Sequence, residues 1–252
     1  MNIFKIFFKK EFEELKKLQK ENKKLKKENK KLKILNSSKD ELISAISHEF
    51  KNPISIINGY IQTILENNLP KELNEKFLTK IQKNSIRLSE LIDRLYLITR
   101  LENNKIKTNF LTFDLCEITK NIIESLNTNR ITLNCEKKII YADKTLIEIV
   151  IYNLISNALK YSKDEIIINI NDNFEVIDKG KGIDKKEIEL IKQKFYRISK
   201  NDWDNSLGLG LAIVEKILNL HKTSLKIESQ KGKGSKFYFE ITSLKDKAPQ
   251  PQ

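Results

Sequence analysis

The segment Ser47-His48-Glu49-Phe50-Lys51-Asn52-Pro53 is the best equipped for chemistry in this chain. It holds one of only two histidines, inside a stretch of strong helical periodicity. A histidine on a helix face beside a carboxylate, here Glu49, can be a nucleophile, because its neutral ring nitrogen is available near neutral pH. Asn52, four residues on, shares that face and could position a water or a leaving group. By itself the segment also reads as an ordinary surface histidine next to an acid.

Four further clusters carry chemistry. In Asn153-Leu154-Ile155-Ser156-Asn157-Ala158-Leu159-Lys160-Tyr161-Ser162, the residues Asn153, Asn157 and Lys160 share one helix face. Amide oxygens can hold a hydrated Mg²⁺ and a lysine can meet phosphate; a polar face turned to solvent is the plainer alternative. In Val176-Ile177-Asp178-Lys179-Gly180-Lys181-Gly182-Ile183, a strand delivers Asp178 into a glycine turn. The acid can accept a hydrogen bond from an exocyclic amine such as adenine N6, and glycines let backbone approach a ring closely. In Leu207-Gly208-Leu209-Gly210-Leu211, glycines open a helix, where free N–H groups and the dipole favour anions. The polar segment 184–206 before it, with Phe195-Tyr196-Arg197, could close over a nucleotide as a lid. Gly232-Lys233-Gly234-Ser235-Lys236-Phe237 reads most simply as a hairpin turn nearby.

These groups need elements to position them. Leu18, Leu25 and Leu32 recur at one seam of a heptad pattern, with Leu15 opening the series and Asn22, Asn29 and Asn36 at the other seam. Leucine at d with asparagine at a suggests a parallel two-stranded coiled coil, weak because of its three asparagine layers; a lone solvated helix is the alternative. An apolar-periodic helix is expected at about 39–67, bent near Pro53, and a second at 71–102, opened by Pro70. Two antiparallel helices with wide apolar stripes make a hairpin, and two hairpins pair into a dimeric four-helix bundle. Residues 103–112 read as a linker. Beyond it, strand-like runs at 131–135, 138–141, 165–171, 174–178, 224–229 and 236–242 mix with helical stretches near 114–126, 144–162 and 207–220. That mixture predicts an α/β sandwich with helices on one face of a mixed sheet. The expected organisation is a basic, aromatic start and coil over 1–37, the hairpin over 38–102, the linker, the sandwich over 113–244 and a disordered tail over 245–252.

A net charge of +13 points either to an acidic protein, an anionic surface or nucleic acid, or to compositional drift in a Lys-, Asn- and Ile-rich chain. Lysine dominates over arginine and no nucleic-acid motif occurs, so no nucleic-acid partner is expected. Cys116 and Cys135 lack metal-ligand spacing and are expected as small buried apolar residues in a reduced cytosolic setting, not as a disulfide. No apolar run reaches the roughly 18 residues that a bilayer span needs. The start Asn2-Ile3-Phe4-Lys5-Ile6-Phe7-Phe8 suits a membrane interface or the stub of a removed span; a frayed apolar end of the coil is the alternative.

The order His-Glu-x-x-Asn-Pro, Asn-x-x-x-Asn, Asp-x-Gly-x-Gly, Phe-Tyr-Arg, Gly-Leu-Gly-Leu and Gly-x-Gly-Ser-x-Phe resembles the bacterial sensor histidine kinases of two-component systems over residues 38–243. The resemblance implies a histidine-phosphotransfer hairpin followed by an ATP-binding domain of the GHKL type. It makes His48 the phosphoacceptor, Glu49 the carboxylate that takes the ring proton or fixes the tautomer, and Asn52 a support for the reverse, phosphatase reaction. It makes Asn153 and Asn157 the N-box, with Asn157 the Mg²⁺ ligand and Lys160 and Tyr161 flanking ATP. Asp178 becomes the adenine-recognising acid, beside Gly180, Gly182 and Ile183. Phe195 and Arg197 become the lid motif, and Leu207, Gly208, Leu209, Gly210 and Leu211 the glycine box. The implied cofactors are ATP and Mg²⁺. The implied partners are a second copy of the chain and a response-regulator receiver domain. The implied location is cytoplasmic, at the inner face of the cell membrane if the N-terminus touches lipid.

Two positions depart from the family pattern: Ser206 stands where an earlier glycine is common, and Lys222 where a glycine often follows His221. His221 reads as structural, at a helix C-terminus that favours a partly charged ring. No sensor, PAS or receiver segment is recognised, so the chain reads as a kinase core from a longer protein or as a small kinase sensing through its N-terminus. A phosphatase-dominant member of the family and a nucleotide-binding scaffold are the competing functions. A lone ATPase of the gyrase and Hsp90 type would lack the histidine hairpin.

Overall fold

The structure, a computed structural model, describes residues 20–23, 25–26, 43–44, 46–103, 105–198 and 207–244. The aromatic start, most of the heptad series, Ser206 and the C-terminal tail lie outside the described residues. The chain divides into two compact units, Met1–Asn52 and Pro53–Gln252. In the first, residues 20–23, 25–26, 43–44 and 46–52 are helical.

The second unit opens with helical residues 53–66, here α1, and continues into α2 (Lys71–Glu102). Pro70 precedes α2 with its φ already at −55°, and its carbonyl accepts from the Leu73 and Asn74 N–H groups at 3.0 and 3.1 Å. Across the turn, the Tyr60 and Phe77 rings pack with centroids 4.8 Å apart. Leu91, Ile98 and Leu101 of α2 are buried, whereas Leu78, Ile86, Ile92 and Tyr96 stay exposed.

The rest of the unit is an α/β sandwich. A five-stranded sheet runs in the order β2 (Ile131–Cys135), β4 (Ile166–Ile170), β5 (Asn173–Asp178), β7 (Gly234–Glu240), β6 (Lys226–Gln230). β2 and β4 pair in parallel and the other neighbours antiparallel, so the sheet is mixed. Strict alternation buries Ile166, Ile168 and Ile170 on β4, Phe174 and Val176 on β5, and Phe237 and Phe239 on β7. Phe174 and Phe239 stack 5.2 Å apart at its centre. Helices α3 (Leu115–Ser125), α4 (Lys144–Tyr161) and α5 (Gly210–Leu220) pack on one another, with α4 against β5 and α3 against β2. Helix α5 also packs against α2. Among the described residues, no helix is long and apolar enough to cross a membrane.

Three expectations are corrected. Residues Phe110–Asp114, partly inside the expected linker, form strand β1, which pairs antiparallel with β3 (Ile139–Asp143). β1 does not alternate between buried and exposed positions, so it carries no period-2 signal to read. Cys116 and Cys135 are joined as a disulfide, with Cα atoms 6.0 Å apart. Their separation of 19 in sequence gives no hint of this; packing α3 over β2 brings them together.

The third correction concerns His221. The ring is structural as expected, but it is held neutral: burial pushes its pKa below 6.5. Its Nδ1 donates to the Ile217 carbonyl at 2.8 Å and its Nε2 accepts from the Asp143 N–H at 3.1 Å. Asp143 in turn caps α4, its Oδ1 accepting from the Leu146 N–H at 3.1 Å. The unfolded ring takes up a proton near its ordinary value while the folded ring resists it. This contribution to stability is therefore full above about pH 6.5 and is lost as pH falls below it. Urea unfolding of wild type and His221→Gln between about pH 5 and 8 should show a steeper acid loss in the wild type. Parallel pH profiles would show that His221 does not carry the loss.

Candidate functional site

The cavity that concerns function has a volume of about 310 Å³ and lies between α4, the loop after β5, the segment before α5 and α2. Each wall follows from a local sequence choice. Asp178 is the last residue of β5 and in phase with Phe174 and Val176, so the alternation that fills the core also buries this carboxylate, leaving it 5% exposed. The Gly180 N–H donates to its Oδ1 at 2.8 Å, and the Ser235 N–H also points to the carboxylate. Burial raises the Asp178 pKa from its ordinary value, and these two N–H donors oppose the rise.

The loop after Asp178 is clamped onto the β6–β7 turn. The Gly232 N–H donates to the Lys181 carbonyl and the Ile183 N–H to Ser229 Oγ, both at 2.8 Å. Gly182 has φ +62°, and a Cβ there would strike the Gln230 carbonyl oxygen, so glycine is required on two counts. Gly180 lies behind the wall, where a Cβ would strike the Tyr161 carbonyl oxygen.

On the opposite side, Gly208, Leu209, Gly210 and Leu211 face the cavity, with Gly210 as the first residue of α5. The helix N-terminus therefore presents unsatisfied N–H groups to it. Gly208 has φ +64° and its carbonyl accepts from the Phe195 N–H at 3.0 Å, which ties the expected lid to the glycine box. A Cβ on Gly210 would lie 2.9 Å from Asn153 Oδ1, which shows how closely α4 approaches α5.

Of the expected binding residues, Asn153, Asn157, Lys160, Tyr161, Asp178, Gly182, Ile183, Arg197, Gly208, Leu209, Gly210 and Leu211 line the cavity. Gly180, Phe195 and Leu207 do not; Gly180 packs behind the wall, Phe195 is bonded to Gly208 and Leu207 is buried. Sequence reasoning missed Ser156, Lys181, Ile191, Tyr196, Ile198, Ser235, Phe237 and Arg94. Lys181, Tyr196, Ser235 and Phe237 stand inside the quoted motifs, and Ser156 lies one helical turn before Lys160, so those positions were within reach. Arg94, on α2, had no signal.

The lining carries Arg94, Lys160, Lys181 and Arg197 against the single carboxylate of Asp178. The Lys160 and Lys181 ammonium groups each lie 5.0 Å from the centre of the Tyr161 ring. A cationic rim, an anion-seeking helix end and one buried acceptor suit a ligand with an anionic chain and an amine-bearing ring. Among the described residues, no group of three or more His, Cys, Asp or Glu is placed to cage a metal ion. The amides of Asn153 and Asn157 are neutral oxygen donors in the lining.

His48, Glu49 and Asn52 belong to the first unit. His48 is exposed, Glu49 buried and Asn52 half-buried. An exposed imidazole is accessible to an incoming electrophile.

The His Kinase A (phospho-acceptor) domain model matches residues 38–104, and the model for histidine kinase-, DNA gyrase B- and HSP90-like ATPases matches residues 142–245. The phosphate regulon sensor protein PhoR of Haemophilus influenzae is 30% identical over 226 residues, covering 82% of this chain and 52% of that protein. The chain thus spans about half the length of curated relatives it matches. Among solved structures, the histidine kinase AdeS of Acinetobacter baumannii aligns with a TM-score of 0.61 at 26% identity, covering 77% of this chain and 96% of that one. Histidine kinase ThkA, solved in complex with response regulator protein TrrA, aligns with a TM-score of 0.58 at 26% identity over 80% of this chain and 60% of that one.

Proposed function

The chain belongs to the two-component sensor histidine kinases, and from that membership we propose that it transfers the γ-phosphoryl group of ATP to His48 and then to an aspartate of a response-regulator receiver domain. The observation that carries this reading is the convergence of the Asn-x-x-x-Asn helix face, the Asp-x-Gly-x-Gly loop, the Phe-Tyr-Arg segment and the Gly-Leu-Gly-Leu turn on one cavity.

In this reading Asp178 accepts a hydrogen bond from the adenine amine, and Gly182 and Ile183 let the ring lie against the backbone. Lys160, Arg197 and the N–H groups around Gly208 and Gly210 hold the phosphate chain and offset its charge. Asn157, with Asn153 beside it, would hold Mg²⁺, which supplies further charge neutralisation when bound; neutral amide donors suit a hydrated ion carried in on phosphates. A His48 ring nitrogen attacks the γ-phosphorus, the bond from that phosphorus to the β–γ bridging oxygen breaks, and ADP leaves. Glu49 takes the proton from the imidazole or fixes the tautomer that attacks. Catalysis of this kind rests on positioning and electrostatics.

The exposed apolar residues Ile54, Ile61 and Leu65 of α1, and Leu78, Ile86 and Ile92 of α2, are suited to pairing with a second hairpin in a homodimer. Asn52, one turn after His48, is suited to orienting water for hydrolysis of the regulator's acyl phosphate. The complex of ThkA with TrrA supports a receiver domain as the partner. Contact of the N-terminus with the inner face of the membrane is part of the same proposal.

The test is incubation of the purified chain with γ-labelled ATP and Mg²⁺. Acid-labile, base-stable label on the protein is expected. Nucleotide binding without any label would overturn the kinase reading in favour of a phosphatase or a scaffold.

A further inference from the structure

Arg94 is a cavity-lining residue that no motif contains. It stands on α2, outside the sandwich, yet lines the same cavity as Tyr196, Arg197 and Gly208. On the helix it falls three residues after Leu91 and four before Ile98, both buried, so it shares the face by which α2 docks. The C-terminal end of that face is fastened by an ion pair between Glu102 and Lys194, which lies just before the Phe-Tyr-Arg segment.

Arg94 is half-buried and, among the described residues, has no hydrogen bond or ion pair. Its neighbour Arg100, by contrast, donates to the Lys105 carbonyl at 2.9 Å and lies over the Tyr96 ring. A guanidinium stays charged at any physiological pH. Holding one half-buried at a cavity wall without an ion pair, among other cations, is unfavourable until an anion arrives. Its planar fork matches a phosphate with two parallel hydrogen bonds.

We propose that Arg94 is a nucleotide-binding residue supplied by the hairpin, its guanidinium meeting the phosphate chain of the nucleotide held in the cavity. This rests on the ATP reading of that cavity. It adds that bound nucleotide and the docking of α2 strengthen one another, since linkage between two equilibria is reciprocal. The nucleotide thereby restrains the same helix that carries the docking face.

The test is calorimetric titration of the full chain with ATP, ADP and adenosine, in wild type, Arg94→Gln and Arg94→Lys, with thermal midpoints recorded for each. Arg94→Gln should weaken ATP and ADP by about ten- to hundredfold and leave adenosine unchanged. Arg94→Lys should fall between, as a point charge without the fork. Glu102→Lys should weaken ATP in the wild type but add little in Arg94→Gln, and the exchange Glu102→Lys with Lys194→Glu should restore it. Equal ATP affinity in a folded Arg94→Gln would overturn the proposal. So would an equal loss for ATP and adenosine, which would make Arg94 wall packing. A wild-type chain that bound neither ATP nor adenosine would overturn the ATP reading of the cavity itself, and a selective failure at Arg94 would not.

Discussion

His48→Gln is expected to take up no phosphoryl group from ATP while binding the nucleotide as the wild type does. Glutamine keeps a polar side chain of similar reach but has no ring nitrogen whose lone pair can attack phosphorus. His48 is exposed, and exposed positions usually tolerate replacement within about 0.5 kcal/mol, so the loss should not trace to unfolding. Among the described residues, those that line the cavity run from Arg94 to Phe237. Binding and transfer should therefore separate cleanly in this variant. Label counting with γ-labelled ATP reads the transfer, and titration with ATP reads the binding. Label retained on the variant would place the acceptor at another residue.

Asp178→Asn should abolish measurable nucleotide binding, and with it all label, without lowering the thermal midpoint. The amide is the same size, and its oxygen can still accept from the Gly180 N–H. Its nitrogen, however, can only donate, so it would face the donating adenine amine with another donor. A site built for one hydrogen-bond pattern rejects the wrong one by far more than the value of the bond, because buried polar groups are left unpaired. A loss of at least about a hundredfold is expected.

Burial raises the Asp178 pKa in the fold, whereas the unfolded carboxyl ionises at its ordinary value of 3.8. Above that value the buried charge therefore costs the fold stability, and asparagine removes the cost. A midpoint equal to or above that of the wild type, together with lost binding, is the expected pair. A midpoint that fell with the binding would mean that Asp178 acts as a structural acceptor for the Gly180 and Ser235 N–H groups instead.

Features set by local interactions were legible in the sequence, and features set by distant contacts were not. The bounds of α2 were legible because Pro70 and a 3.6-residue stripe are local signals. Asp178 was legible because a period-2 run ends in an acid and two glycines, and alternation alone predicts which face the acid takes. The glycine box was legible for a similar reason, although the expected helix began at 207 and α5 begins at Gly210. The glycines belong to the turn that opens the helix, so the boundary lay inside the motif. β1 escaped because its partner, β3, supplies its order and its own pattern does not alternate.

By itself the sequence determined the types of the elements other than β1, the order of the motifs and the chemistry each could perform, since periodicity, turn residues and side-chain functional groups act within a few residues. Only the tertiary structure decided what distant segments do to one another. It set the strand order β2-β4-β5-β7-β6 and joined Cys116 to Cys135. It kept His221 neutral by burying its ring against the Asp143 N–H, where helix position alone favoured charge. It also brought Arg94 of α2 to the cavity wall. Each of these depends on desolvation or on contact between residues far apart in the chain, and neither quantity exists until the elements pack.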